Sequence, residues 1–228
     1  MEYSIKLNAV NNPDKSVKAF VAVTFGDCFK ITNIAVVKTQ EGQPFVSMPS
    51  FKSKERTEHN EPVYKDVCNP ITSEFRARLY EDILSLYGEM EQSGKTEVSK
   101  NVKNPEEPEF RVAVTPFERE GSNIRGLARI YFEDVFVVGN VSIIQGKQQK
   151  FVAMPSYMTK QSGKDGKPQY QDVCFPVTKE FRAKLYGEIL NCYKREKEKV
   201  MEKGMEQAAM QSMGRTHSQQ PDRNLSFR

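Results

Sequence analysis

The sequence predicts an α+β protein in which one small domain occurs twice in tandem. Each domain is read as an antiparallel sheet of four or five strands with one C-terminal α-helix packed on it, and a helical and disordered tail follows the second. Three observations lead there: a duplication that can be counted residue by residue, runs of alternating apolar residues broken by turn signals, and an apolar stripe of helical spacing closing each copy.

The duplication comes first because it sets the domain count. Residues 45–87 and 151–193 align without a gap at an offset of 106, and 22 of the 43 positions are identical. Upstream, the stretch Phe25-Gly-Asp-Cys-Phe matches Phe132-Glu-Asp-Val-Phe at an offset of 107, so a single residue is gained or lost in the Gly/Gln-rich turn between the blocks. Turns are where such changes are tolerated.

Within each copy the elements follow in order. Opening strands are expected at Tyr3–Val10 and Phe110–Pro116, and second strands at Lys18–Phe25 and Gly126–Phe132. A Gly-Asp or Glu-Asp turn then leads into third strands at Phe29–Val37 and Val135–Ile144, which reads as a hairpin. Fourth strands, Phe45–Met48 and Phe151–Met154, are closed by Met-Pro-Ser, because proline donates no ladder hydrogen bond. A polar, basic loop follows, including Asp165-Gly166, and then short strands at Tyr64–Cys68 and Tyr170–Cys174.

Thr72 and Thr178 are the expected helix N-caps, with Glu74 and Glu180 favouring the positive end of the helix dipole. Phe75, Leu79, Ile83 and Tyr87 recur every fourth residue, and Phe181, Leu185, Ile189 and Tyr193 repeat the stripe. That spacing lays one apolar face on the sheet.

These readings place a first domain at 1–93, a polar and Pro-containing linker at 94–108, a second domain at 109–196, and a charged helical extension with a disordered tail at 197–228. The linker's roughly 15 residues span about 20 Å as a random coil, enough to join neighbours. Each domain presents a sheet edge, so the two copies are expected to pair with each other inside one chain, with homodimerisation as a further option.

Composition narrows the function. Hydrophobic residues make up 38% and charged residues 28%, the balance of a chain part of which packs into no core. The net charge is +4, of which the segment from Lys194 onward carries +3 (eight Lys/Arg against five Asp/Glu), leaving +1 for the rest (4 − 3). A basic surface on the domains must therefore come from local clustering. The start, Met1-Glu-Tyr-Ser-Ile-Lys, has no apolar core behind a basic end, and no apolar run reaches membrane-spanning length, so a cytoplasmic protein without a membrane partner is expected. Cys28, Cys68, Cys174 and Cys192 lack metal or redox spacing and are read as buried small hydrophobes; no metal or other cofactor is expected.

Phe-Val-(Ser/Ala)-Met-Pro-Ser at 45–50 and 151–156, followed by Asp-Val-Cys at 66–68 and 172–174 and by Pro-(Ile/Val)-Thr ahead of a helix, resembles the stage V sporulation protein G family, also called septation protein SpoVG. The resemblance covers about 85 residues and occurs twice. It implies a cytoplasmic bacterial regulator involved in septation, sporulation and gene control, several of whose relatives are dimers that bind DNA or RNA. The chain departs from the family pattern in carrying two domains. It also has Phe51-Lys52 and Tyr157-Met158 where the family commonly places a Lys-Arg pair.

Nucleic-acid contacts are expected from basic residues at the helix starts and neighbouring loops. Arg76, Arg78, Arg182 and Lys184 lie in the first turns, off the apolar stripe, and Lys52, Lys54, Arg56, Lys160, Lys164 and Lys167 extend the patch. By resemblance, Arg76 and Arg182 match the helix-start arginine in the region linked to DNA binding. The competing reading is a solvated charged face, since Glu and Asp are interspersed.

Phe51, Tyr64, Tyr157 and Tyr170 are read as core or interface aromatics in preference to base-stacking ones. Met201, Met205 and Met213, with Ala208 and Ala209, are read as a fraying extension of the last helix in preference to a partner-binding face. Catalysis is not expected: Gly163-Lys-Asp-Gly-Lys fails the phosphate-loop spacing, and His59 and His217 lie in a charged loop and the tail. The remaining alternative is a septation-associated scaffold with no affinity for nucleic acid.

Overall fold

Two sheets are built by the expected alternation, and each is completed by the other copy. The computed structural model describes residues 1–12, 14–162, 166 and 168–216, with backbone only at 160–162, 207–209 and 211–216. The first copy comprises β1 (Tyr3–Ala9), β2 (Val17–Phe25), β3 (Phe29–Lys38), β4 (Pro44–Ser47), β5 (Ser50–Arg56), β6 (Pro62–Asp66), β7 (Cys68–Pro70) and α1 (Ser73–Ser93). A strand β8 (Glu97–Lys100) follows. The second copy comprises β9 (Phe110–Pro116), β10 (Ile124–Phe132), β11 (Phe136–Gln145), β12 (Lys150–Ala153), β13 (Ser156–Ser162), β14 (Pro168–Asp172), β15 (Cys174–Pro176) and α2 (Lys179–Thr216).

The first sheet runs β15-β3-β2-β1-β8, with β4 also on β3, and the second runs β12-β11-β10-β9, with β7 also on β11. All pairs are antiparallel. Alternation sends Tyr3, Ile5 and Leu7 of β1, and Val21, Val23 and Phe25 of β2, to the covered face, where they are buried. The α1 stripe Phe75, Leu79, Ile83 and Tyr87 and its counterpart Phe181, Leu185, Ile189 and Tyr193 cover those faces and are themselves buried.

Thr72 caps α1: its Oγ1 accepts the Phe75 amide at 3.3 Å, and Thr178 does the same for Phe181 at 3.2 Å. Such a cap is worth about 1 kcal/mol. Gly94, left-handed at φ 65°, ends α1. Val200 stands at the equivalent place in the second copy and supplies no such stop, so α2 runs on to Thr216.

Three expectations need correction. The segment read as linker contains β8, whose Glu97–Lys100 pair with Asn8–Ile5 and extend the first sheet; four residues are too few for periodicity to reveal. The basic loops are two-stranded arms: β5 pairs with β6, and β13 with β14. Their charged residues hide the alternation because neither face meets a core.

The third correction concerns the short strands at Tyr64–Cys68 and Tyr170–Cys174. Each divides in two, β6 and β14 staying in the arms while β7 and β15 cross to the other copy. Phe136, Val137 and Val138 pair with Pro70, Asn69 and Cys68, and Phe29, Lys30 and Ile31 pair with Pro176, Phe175 and Cys174. Flanking amides extend the exchange: Ile71 donates to the Val135 carbonyl at 2.8 Å, and Val177 to that of Cys28 at 2.7 Å.

The hairpin ends of the two sheets meet at this exchange. Phe25 lies 5.7 Å from Phe132 and 5.1 Å from Phe136, and Phe29 lies 4.7 Å from Phe132, ring centre to ring centre. All four rings are fully buried. Edge-on and tilted contacts of this kind add to the area they remove from water. The two copies therefore share one hydrophobic core.

Candidate nucleic-acid interface

Arg76 and Arg182 turn out to have an internal task. Each guanidinium donates to the last carbonyl of its own crossing strand, Arg76 Nη2 to Pro70 O and Arg182 Nη2 to Pro176 O, both at 3.0 Å. Asp66 and Asp172 lie close by; burial raises their carboxyls, and the neighbouring arginine pulls the other way. These arginines fasten the crossing strands to the helix starts while remaining exposed along part of their length.

Arg78 and Lys184, equivalent to each other, are also committed. Arg78 Nη2 donates to the Met1 carbonyl at 3.1 Å, and its guanidinium sits 5.1 Å from the Phe75 ring centre and 5.5 Å from that of Tyr3. Lys184 pairs with Glu107 and lies 5.5 Å from the Phe110 ring centre. Each holds the chain that enters its own copy, the N-terminus in one case and the end of the linker in the other.

The arms differ. Lys52, Lys54 and Arg56 are exposed on β5 and form no ion pair or hydrogen bond among the described residues, whereas Lys65 on β6 pairs with Glu55. Tyr64 sits directly across from Lys52. In the second arm Met158 and Tyr170 face each other at the corresponding place. Only the backbone of Lys160 is described, and Lys164 and Lys167 lie outside the described residues, as do Asp165, His217 and the tail from 217 onward. Nothing follows for the side chains of Ala208, Ala209 and Met213; Met201 and Met205 are exposed on α2.

None of the arm aromatics is in the core, and Phe51 stands where the first arm faces the second sheet. Phe51, Tyr64, Tyr157 and Tyr170 are 39, 62, 37 and 67% exposed. They stand on the two-stranded ribbons β5-β6 and β13-β14.

Inspection of single motifs passes over the open face of the second sheet. There Arg111, Arg129 and Tyr131 occupy the places that Ser4, Ala22 and Thr24 hold in the first copy, as the equivalent pairings Arg111 with Tyr131 and Ser4 with Thr24 show. The signal was available: a 107-residue offset aligns these positions and shows three changes from small residues to cations or an aromatic.

The four cysteines are buried and free. Burial pushes the Cys28 thiol up to about 12 and those of Cys68 and Cys174 well above their ordinary range, so at neutral pH they are uncharged and poor nucleophiles. Among the described residues no group of three or more His, Cys, Asp or Glu side chains gathers as a metal site, and no helix is long and apolar enough to cross a membrane.

The family model described as SpoVG matches residues 1–89 and 108–195, one match per copy. Relatives named septation protein SpoVG include that of Treponema denticola, 33% identical over 76 residues, covering 33% of this chain and 74% of that protein. The Symbiobacterium thermophilum protein is 32% identical over 105 residues, 46% of this chain and 69% of its own. That of Borreliella afzelii is 39% identical over 83 residues, 36% and 78% respectively.

Proposed function

Because the chain belongs to the SpoVG family, we propose that it is a cytoplasmic, non-catalytic regulator connected with septation and sporulation that binds nucleic acid, DNA or RNA. In this reading the two copies form a single-chain pseudo-dimer, which needs no second chain to complete its sheets. The observation that carries nucleic-acid binding is the arm strand β5, where Lys52, Lys54 and Arg56 are exposed without an acidic partner and Tyr64 lies across from Lys52. Phosphate contacts need uncommitted cations, and an exposed ring beside them gives a base a surface to stack on. Arg76 and Arg182 support this surface by fixing the arm bases, and Arg78 and Lys184 take no part.

A second reading has one observation in its favour. Phe20 and Phe45 on the open face of the first sheet are exposed, as are Leu127 and Phe151 at the same places on the second, the kind of repeated apolar surface a protein partner would cover. This is the scaffold alternative.

Fluorescence anisotropy with duplex DNA and single-stranded RNA over a salt series separates the two. Replacing Lys52, Lys54 and Arg56 by alanine is expected to weaken binding and to make the log–log salt slope for duplex DNA shallower by about 0.9 for each phosphate no longer neutralised. No binding by the unaltered chain at low salt would leave the scaffold reading.

A further inference from the structure

Where the first arm meets the second copy, a cleft of about 370 Å³ opens that neither copy could form alone. One wall is the arm, with Phe51 and Lys65, directly paired across β5 and β6. The floor is the crossing strand β7 with Asn69, and the other wall is the open face of the second sheet, with Arg129, Tyr131 and Asn140. Asp66 also faces the cleft.

The chemistry of this lining is mixed in an informative way. The Arg129 side chain has no hydrogen bond, ion pair or ring contact among the described residues. Tyr131 is held in place: the Arg111 guanidinium lies 3.9 Å from its ring centre and is itself tied to Asp134. Phe51 and Tyr131 supply apolar faces, Asn140 supplies an amide that both donates and accepts, Asn69 an amide whose Nδ2 already donates to the Pro70 carbonyl at 3.0 Å and whose oxygen accepts, and Asp66 accepts only. A bare phosphate has no use for the rings, and a polyphosphate would be repelled by Asp66. A nucleobase with one phosphodiester uses the groups that Glu55 does not claim: its face the rings, its edge the amides and Asp66, its phosphate Arg129.

The equivalent place on the other side of the molecule lacks these features. There Ala22 and Thr24 replace Arg129 and Tyr131, and Gln171 replaces Lys65. Thr32 stands where Gly139 does, and its hydroxyl donates to the Val173 and Asp172 carbonyls at 3.0 and 3.3 Å. Tyr157, at the position of Phe51, is tied through its hydroxyl to Gln171 at 2.8 Å. On the open side Gly139 puts no side chain over the matching carbonyl of Val67, which its amide still meets at 2.8 Å.

We infer that the cleft between Phe51 of the first arm and Arg129 and Tyr131 of the second sheet is a binding site for one unpaired nucleotide of a single strand, present on one side of the molecule only. This rests on the nucleic-acid reading above and adds to it a preference for single strands and a defined place. A duplex hides the base face and edge that the cleft contacts.

The test gives the full chain the first copy's residues, Arg129→Ala with Tyr131→Thr, and compares it with the mirror-side variant Lys30→Ala. Probes are labelled single-stranded RNA and DNA oligonucleotides, a duplex of the same length, and free nucleoside monophosphates, read by anisotropy and by competition; circular dichroism verifies folding. The expected result is a loss of about tenfold or more in single-strand affinity for the double variant, since base stacking and one phosphate contact are both removed. Its duplex affinity should change less, and Lys30→Ala should bind single strands as the unaltered chain does. Competition by nucleoside monophosphates at concentrations near those of the oligonucleotide would reassign the cleft to free nucleotides and overturn the single-strand assignment. Unchanged single-strand binding in the folded double variant would overturn the site while leaving nucleic-acid binding in place. No binding of any probe by the unaltered chain would overturn both.

Discussion

Tyr87 and Tyr193 occupy the same position on the two helices, both buried, and differ in one respect. The Tyr87 hydroxyl donates to Glu91 at 2.7 Å, and Lys38 completes the cluster by pairing with the same carboxylate at 2.6 Å. In the second copy the position of Glu91 is taken by Lys197, which reaches away to Glu118 at 3.1 Å, and the buried Tyr193 hydroxyl has no hydrogen-bond partner among the described residues. The same contrast recurs at the turns. Gly26 in the first copy stands where Glu133 stands in the second, and Glu133 pairs with the N-terminal amine. At the turns the difference follows what lies against each, the end of the linker over Gly26 and the N-terminal amine beside Glu133; at the tyrosines it follows the exchange of Glu91 for Lys197 on the helix itself.

The largest expected effect comes from what the copies hold in common. Phe132 contacts Phe25, Phe29 and Phe110. Phe132→Ala should cost about 3–5 kcal/mol, typical of emptying a buried aromatic site. Denaturant unfolding followed by probes in each copy should show both unfolding in a single transition. Two separate midpoints would mean that the copies are independent domains, and the shared core would be refuted.

Next in size is the exchange of turn residues. Gly26 has φ +50°, and a Cβ there would lie 2.4 Å from the Glu106 carbonyl and 2.5 Å from the Pro108 ring. Gly26→Glu, which copies the second turn into the first, should destabilise by about 2 kcal/mol or more, the left-handed penalty plus the overlap with the linker. Glu133→Gly should cost less, about 1 kcal/mol, since relief of a left-handed Glu at φ +44° offsets part of the loss of a partly buried ion pair. Equal effects in thermal melts would show that the linker does not lie over the first turn.

The smallest effect sharpens the tyrosine comparison. Tyr87→Phe should lower stability by about 1.5 kcal/mol, the low end for a hydrogen bond to a charged carboxylate. Tyr193→Phe should be neutral or raise it by up to about 1 kcal/mol, because the hydroxyl removed is a buried group without a partner. Opposite signs in chemical denaturation confirm the contrast, and matching losses would mean that Tyr193 has found a partner.

Much of the fold was legible in the sequence. The helix stripes, the Thr caps and the central hairpins rest on local periodicity, and local periodicity is what a covered sheet and an amphipathic helix impose. The arms, β8 and the splitting of Tyr64–Cys68 and Tyr170–Cys174 were not legible for a common reason: these pieces are three to seven residues long and owe their conformation to a partner strand. Nothing in Cys68-Asn-Pro70 says that its partner lies near residue 137. The site was legible only in outline. Lys52, Lys54 and Arg56 were found by charge, but charge could not tell that Arg76, Arg78, Arg182 and Lys184 have internal acceptors, carboxylates or rings to serve. Arg129 and Tyr131 escaped because they belong to no run; the difference between the copies, not the likeness, marks them.

The crossing strands also order events on the ribosome. The edge at Ile31 waits for Cys174, made 143 residues later (174 − 31). At about 5–20 residues per second that interval lasts roughly 7 to 29 s. β7 gains its mate and Phe25 its ring contacts with the second copy once residues 132–138 are made, while Phe29 and the β3 edge wait for α2 and β15. Chains on adjacent ribosomes of one message expose the same unfinished edges in turn, and the second copy of a leading chain can fill the first copy of the one behind it, a route to intertwined pairs set by translation rather than by the finished fold.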